Sequence, residues 1–285
     1  MRDLAGRLDL CCINTATLGH REPIEWIAER VARAGFGFIT PWRREIDEAH
    51  PQRAAAAIRA AGLKLGGYCR TTYFSADDAA GRRAAIDDNR RAIEVAAELG
   101  APLLVAVVGG LAPRSTDLRG DRQAILDGIA ALRPTLRDCG VTLALEPLHP
   151  FYAADRSLLS TLAQAVDWCE ALTEPMSDGG PRCLGIALDA YHVWWDPALE
   201  ASIARAAPHL AAFHVCDWRR DTRDPLLDRG MMGDGVIDLR GLRAAVEATG
   251  FAGPVEVEIF SRDDWWQRDP DEVLATCAER LQRCC

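Results

Sequence analysis

The chain has 285 residues, 49% of them hydrophobic and 26% charged, which is the composition of a folded protein rather than a disordered one. A formal net charge of −9 argues against non-specific attraction to a phosphate backbone and so against nucleic acid as a partner. No window approaches the ~18 uninterrupted apolar residues that span a membrane, and the opening MRDLAGRLDLCCINT carries charge on either side of a very short apolar run, so a cytoplasmic protein is expected.

Short apolar runs alternate with longer helical patterns along the whole chain. LDLCCINT is followed by PIEWIAERVARAG, whose apolar residues recur at three and four and which stops at Gly35. FGFITPW leads to PQRAAAAIRAAG, and KLGGYCRTTYF to a long helix, DDAAGRRAAIDDNRRAIEVAAELG, stopped by Gly100. PLLVAVVGG precedes RQAILDGIAALRPTLRDCG, where the internal Pro134 predicts a kink. VTLALEPL pairs with TLAQAVDWCEAL, CLGIALDAYHV with PALEASIARAA, LAAFHVCDW with LRGLRAAVEATG, and PVEVEIF with DEVLATCAERLQRC. These eight strand-helix units run over residues 1–285 with no linker or composition break, and the turn after the first strand has no G-x-G-x-x-G. A single (β/α)8 TIM barrel in one domain is the expected α/β fold. The ten cysteines include no C-x-x-C pair and are expected to be free, buried thiols.

A barrel of this kind places its active site at the C-terminal ends of the strands, so the polar residues that finish each apolar run are the candidates. Strand five offers Glu146 and His149, strand six Asp189 and His192, strand seven His214 and Asp217, and strand eight Glu256 and Glu258. Four adjacent strands thus bring Glu, Asp, His and Glu to one rim. Three carboxylates and an imidazole suit a hard or borderline divalent cation, Mn²⁺ first, with Mg²⁺, Co²⁺ and Zn²⁺ as alternatives; strand-end ion pairs around a core histidine would give the same residues. Period-two geometry sets Glu256 on the same inward face as Glu258 but one layer deeper. It is expected to bond a polar group of a neighbouring strand, such as Arg70, or a buried water. Asp217 is expected either to hold His214 through a hydrogen bond or to bind a second ion.

LALEPLHPFYAADRS, GIALDAYHVWWDP, FHVCDWRRDTRDPLLDRGMMGDGVIDL and VEVEIFS resemble the sugar phosphate isomerase/epimerase group of the xylose isomerase-like TIM barrels, which includes ketose 3-epimerases. The resemblance covers residues 141 to 262, with ITPWR and the strand-helix rhythm before it. It implies that Glu146, Asp189, His214 and Glu258 bind the metal and that His192 and Arg220 contact substrate oxygens. It also implies a small carbohydrate substrate and a divalent-metal-dependent isomerase or epimerase that moves a proton next to a ketose carbonyl through a metal-stabilised enediolate. Glu146 and Glu258 stand three strands apart, roughly 135° around an even ring, as a base and an acid on opposite sides of a substrate would. A dehydratase or a hydroxypyruvate-type isomerase could use the same ligands, as could a non-catalytic sugar- or metal-binding barrel. The apurinic endonucleases of this fold carry a histidine in D-R-H where this chain reads Asp228-Arg229-Gly230. One departure from the ketose 3-epimerases is E-P-L-H-P-F-Y, which places Tyr152 where E-P-L-N-R-[FY]-E has its second glutamate. The stretch 221–238, rich in glycine near its end and followed by a helix that Asp238 would cap, reads as a lid or binding loop. Trp194, Trp195, Trp265 and Trp266 are candidates for stacking on sugar or, if exposed, for a homo-oligomer contact.

Overall fold

The computed structural model describes residues 1–172 and 183–285. Its strands are β1 (Cys11–Asn14), β2 (Phe38–Thr40), β3 (Lys64–Leu65), β4 (Tyr68–Cys69), β5 (Leu103–Ala106), β6 (Thr142–Leu145), β7 (Leu184–Asp189), β8 (Leu210–Val215) and β9 (Val255–Val257). They form one parallel sheet in the order β3-β2-β1-β9-β8-β7-β6-β5-β4. Its two ends, β3 and β4, are halves of one predicted strand: β3 pairs with β2 and β4 with β5, and a Trp42–Cys69 bridge draws the ends together. The sheet is therefore a nearly closed barrel of the predicted kind. The third strand is interrupted at Gly66-Gly67, where neighbours leave no room for a side chain. A Cβ on Gly66 would lie 2.8 Å from both Cys12 Sγ and Thr40 Oγ1, and one on Gly67 would lie 2.6 Å from Leu103 Cδ1.

The helices α1 (Ile24–Arg33), α2 (Pro51–Ala60), α3 (Ala79–Leu99), α4 (Leu118–Cys139), α5 (Leu162–Leu172), α7 (Leu199–Ala206), α8 (Leu239–Ala248) and α9 (Pro270–Cys284) follow the predicted runs; α6 (Ala190–Val193) is a short turn after β7. Asp78 and Asp238 cap α3 and α8 through backbone N–H groups of Gly81 and Gly241, and left-handed Gly100 and Gly140 end α3 and α4. The helix α4 continues through Pro134, which lies on its exposed side. Among the described residues no helix is long and apolar enough to cross a membrane. All ten cysteines are free, and none is exposed.

Residue parity sorts the strands into two layers. Leu143, Leu145, Ile186, Leu188, Phe213 and Val215 face outward and pack with the helices in one large core. Cys69, Leu103, Val105, Ala144, Ala187 and Ala212 form a small inner cluster. Glu146, Asp189, His214, Glu256 and Glu258 continue the inward parity of their strands, which is why they enter the barrel rather than the solvent.

Candidate active site

Glu146 follows β6 directly, with its N–H bonded to Ala106 O at 3.0 Å. Asp189 ends β7 and caps α6 by accepting the Tyr191 N–H at 2.9 Å. His214 pairs in register with Asp189, and Glu258, just past β9, bonds its N–H to Val215 O at 3.2 Å. One oxygen or nitrogen from each of Glu146, Asp189, His214 and Glu258 lies within 4.8 Å of the others, and all four side chains are buried. The metal set read from the sequence is thus brought together in space.

Burial, with Glu146 close by, pushes the Glu258 carboxyl up to about 8 and raises Asp189 as well; Arg229 opposes both shifts. Burial would lower the His214 pKa, but Glu256, the hydrogen bond to Glu146 and the charge of Glu258 outweigh it, and the imidazole is pushed up to about 10. A buried set that retains protons against its neighbours' charge is one that a divalent cation can relieve. Oxygen donors with one imidazole suit such an ion, so the residues present fit it.

Glu256 lies below this cluster. It accepts Asn14 Nδ2 and Thr40 Oγ1, each at 2.8 Å, and its Oε1 is 3.7 Å from His214 Nε2. Its partners therefore come from β1 and β2, not from Arg70, because β9 is the neighbour of β1 with Cys12 and Glu256 in register. Arg70 turns away, donating to Thr71 O and lying over the Tyr73 ring. His214 Nδ1 faces Glu146 Oε1 at 3.2 Å, and Glu256 stands at the other ring nitrogen, beyond hydrogen-bond distance but close enough for its charge to favour the imidazolium. Asp217 does not take that part. It accepts the N–H groups of Trp218, Gly233 and Ile237 at 2.9, 2.9 and 3.0 Å and so ties the following loop.

The same loop corrects the assignment of Arg220, which is exposed and does not line the cavity. The chain turns back after β8 through an antiparallel Asp217–Gly230 bridge, and a second bridge joins Asp228 to Ser261. Between them Arg229, 3% exposed, is driven into the cluster. Its Nη1 donates to Asp189 Oδ2 at 3.0 Å and Glu258 Oε2 at 3.2 Å, and its guanidinium lies 4.4 Å from the Tyr191 ring and 4.8 Å from the Phe260 ring. The stretch 221–238 is a strapped wall rather than a free lid: Leu226, Leu227 and Arg229 line the cavity, Met231 and Met232 are fully buried, and Tyr191 Oη holds Pro225 O at 2.7 Å.

His192 stands where expected, buried and against Arg229 Nη2 at 3.2 Å. Burial and the Arg229 charge hold it well below the usual histidine range, so it is neutral. Its Nδ1 faces the His149 N–H and its Nε2, beside the cavity, faces an Arg229 Nη2–H, each at 3.2 Å, so donors approach both ring nitrogens of an imidazole that can accept at one. His149 itself stacks on Trp218 and is no part of the cavity lining.

The cavity above the cluster has a volume of about 340 Å³. Of the four tryptophans singled out in the sequence, Trp266 lines it, Trp265 is buried and Trp194 and Trp195 are half-buried; Trp42 provides the second indole of the wall. The sequence reading missed Arg229, Trp42 and His20. His20 takes the left-handed conformation, φ 57°, and its Nδ1 is 2.5 Å from Glu45 Oε1. For Arg229, the available signal was its place in the return segment just before Gly230.

A family model described as xylose isomerase-like TIM barrel matches residues 28–284. The chain is 26% identical over 267 residues to a ketose 3-epimerase of Arthrobacter globiformis, covering 88% of this chain and 83% of that protein. The crystal structure of protein SMc04130 from Sinorhizobium meliloti 1021 superposes with a TM-score of 0.92 at 49% identity, covering 98% of this chain and 99% of that one. A structure of IOLI protein with a bound zinc atom superposes with a TM-score of 0.77 at 20% identity, covering 96% and 97%.

Proposed function

The chain belongs to the xylose isomerase-like TIM barrel family, and from that premise we propose that it is a divalent-metal-dependent sugar isomerase or epimerase that moves a proton next to a ketose carbonyl. The observation that carries the reading is the convergence of Glu146, Asp189, His214 and Glu258 at the floor of a cavity of about 340 Å³. The ketose 3-epimerase name of a relative supports the reaction class, and the zinc in a structural neighbour supports a metal in this fold.

Glu146, Asp189, His214 and Glu258 would hold the ion, Mn²⁺ by the oxygen-rich donor set, and the ion would polarise the carbonyl and its neighbouring hydroxyl. The chain's own residues do the proton work. One of Glu146 and Glu258 takes the proton from the carbon beside the carbonyl, the C–H electron pair moves into the enediolate, and the other returns a proton. Return to the opposite face of the same carbon is epimerisation; return to the neighbouring carbon is isomerisation. The guanidinium of Arg229 is the donor placed to stabilise oxyanion charge, in the role expected of Arg220, with the neutral His192 ring beside it.

Solvent-deuterium exchange into a panel of ketoses, run with Mn²⁺ and with chelator, tests the proposal. Label at one carbon that requires metal is the expected result. Label unaffected by chelation, or none in any ketose, rejects it.

A further inference from the structure

The cavity has a charge pattern that the reaction does not use. Its lining carboxylates, Glu146 and Glu258, both belong to the four-donor cluster, while its lining cations are Arg44, Arg70, Arg156 and Arg229. Arg229 is committed to Asp189 and Glu258. Among the described residues the other three have no carboxylate partner: Arg70 donates to Thr71 O and covers the Tyr73 ring, Arg156 lies over the Tyr152 ring at 5.6 Å, and Arg44 is exposed. In a chain of net charge −9 this leaves three cavity cations without an acid, whereas Arg43, just before Arg44, is taken by Glu48 and Asp88.

A second observation points the same way. Tyr152 is 4% exposed and lines the cavity, yet its hydroxyl has no hydrogen-bond partner, and neither has the buried Nε of Arg156 beside it. Buried donors left open cost free energy unless a ligand takes them. Tyr152 also stands where the ketose 3-epimerase pattern has its second glutamate, so this wall presents a neutral hydroxyl where that pattern has an acid. Tyr73, Val107 and Tyr152 pack in one small cluster, which sets Arg70 and Arg156 along the same wall.

We propose that the cavity takes a sugar that carries an anionic group, a carboxylate or a phosphate, at the end remote from the four-donor cluster, held by Arg70, Arg156 and the Tyr152 hydroxyl with Arg44 at the mouth. The inference rests on the sugar isomerase or epimerase reading for where the reacting carbons lie. Carboxylate and phosphate present the same acceptor chemistry to arginine, and the assay separates them.

The test is isothermal titration of the full-length protein with Mn²⁺ present, using a neutral ketopentose, the same ketopentose as its 5-phosphate, and the same 2-ketose oxidised to a carboxylate at C5, the end remote from the carbonyl. At least one anionic ligand is expected to bind tenfold or more tighter than the neutral one, and which does so identifies the group. Arg156→Gln and Arg70→Gln are expected to shrink that anionic-to-neutral ratio by roughly tenfold to a hundredfold, the effect of losing a charged hydrogen-bond partner. Where either fails to fold, Arg44→Gln, at an exposed position, is expected to lower the same ratio. Equal affinities, no binding by any ligand, or a ratio that survives the substitutions overturns the proposal. Deuterium exchange run in parallel keeps the two readings apart. Anion preference without exchange leaves the subsite and removes the isomerase; exchange without preference does the reverse.

Discussion

Replacing Arg229 by methionine tests whether the buried cation completes the site or only fills space. The guanidinium is within 3.0 Å of Asp189 Oδ2 and 3.2 Å of Glu258 Oε2, and both carboxylates are almost wholly shielded from solvent. Removing one partner of a buried pair costs about 3–5 kcal/mol, chiefly because the remaining charge is left uncompensated. Methionine keeps part of the packing against Tyr191 and Phe260, so the lower half of that range is expected. For a chain of this size this lowers the melting temperature by roughly 6–16 °C, at about 2–4 °C per kcal/mol. The measurement is thermal unfolding of wild type and Arg229→Met, each with chelator and with saturating Mn²⁺. Because a divalent cation bound among the same carboxylates supplies the missing charge, the loss with Mn²⁺ is expected to be less than half of the loss in chelator. Equal losses under both conditions, or a loss below about 1 kcal/mol in chelator, would refute the reasoning.

The remaining predictions concern proton transfer, acidity and packing. Glu146→Gln is expected to fold normally and to lower metal-dependent deuterium exchange by roughly 10²–10⁴-fold, as removal of a general base does. In chelator the protein is expected to lose stability as pH rises from 7 to 10. His214 is pushed up to about 10 from 6.5 and Glu258 up to about 8 from 4.5, so the folded chain holds protons that the unfolded chain has released. His192, held low, works in the opposite direction only below its ordinary range, outside this window. Urea midpoints measured at each pH check the slope, and a flat or rising profile contradicts it; Mn²⁺, which displaces those protons, should reduce the fall. Gly66→Ala would force a Cβ to 2.8 Å from Thr40 Oγ1 and 3.2 Å from Glu256 Oε2. It is expected to cost about 1–3 kcal/mol by overpacking and to weaken Mn²⁺ binding, read by titration; unchanged metal affinity would show that Glu256 does not position His214.

The fold was legible because the alternation of short apolar runs with glycine-stopped helices leaves few arrangements, and the strand-end ligands were legible because parity fixes which residues turn inward. Glu146 follows outward Leu145 just as Asp189 follows outward Leu188. What stayed hidden depends on contacts between distant segments. Arg220 fits a spacing counted along the chain, but the Asp217–Gly230 bridge sends that stretch to the surface and returns Arg229 instead. The partners of Glu256 were hidden for a related reason. Closure of the barrel sets β9 beside β1, so Asn14 and Thr40, more than two hundred residues away in sequence, reach the carboxylate. The Gly66-Gly67 pair was visible, but that only glycine fits there follows from how close Cys12, Thr40 and Leu103 come to it.

The distribution of charge around the barrel gives these particulars a common sense. Glu146, Asp189, His214 and Glu258 come from the consecutive neighbours β6, β7, β8 and β9, at strand ends whose backbones are fixed on both sides by the ladder. Arg44, Arg70 and Arg156 lie after β2, β4 and β6, outside the strands themselves and apart from the four donors. A rigid acidic half would then perform proton transfer, while a replaceable basic half decides which sugar is presented to it. Arg229 belongs to the acidic half although it arrives on a loop, because two bridges to Asp217 and Ser261 hold its segment like an added strand. Substitutions at the three loop arginines should therefore change which ligand binds, whereas substitutions at Arg229 should affect the reaction with every ligand.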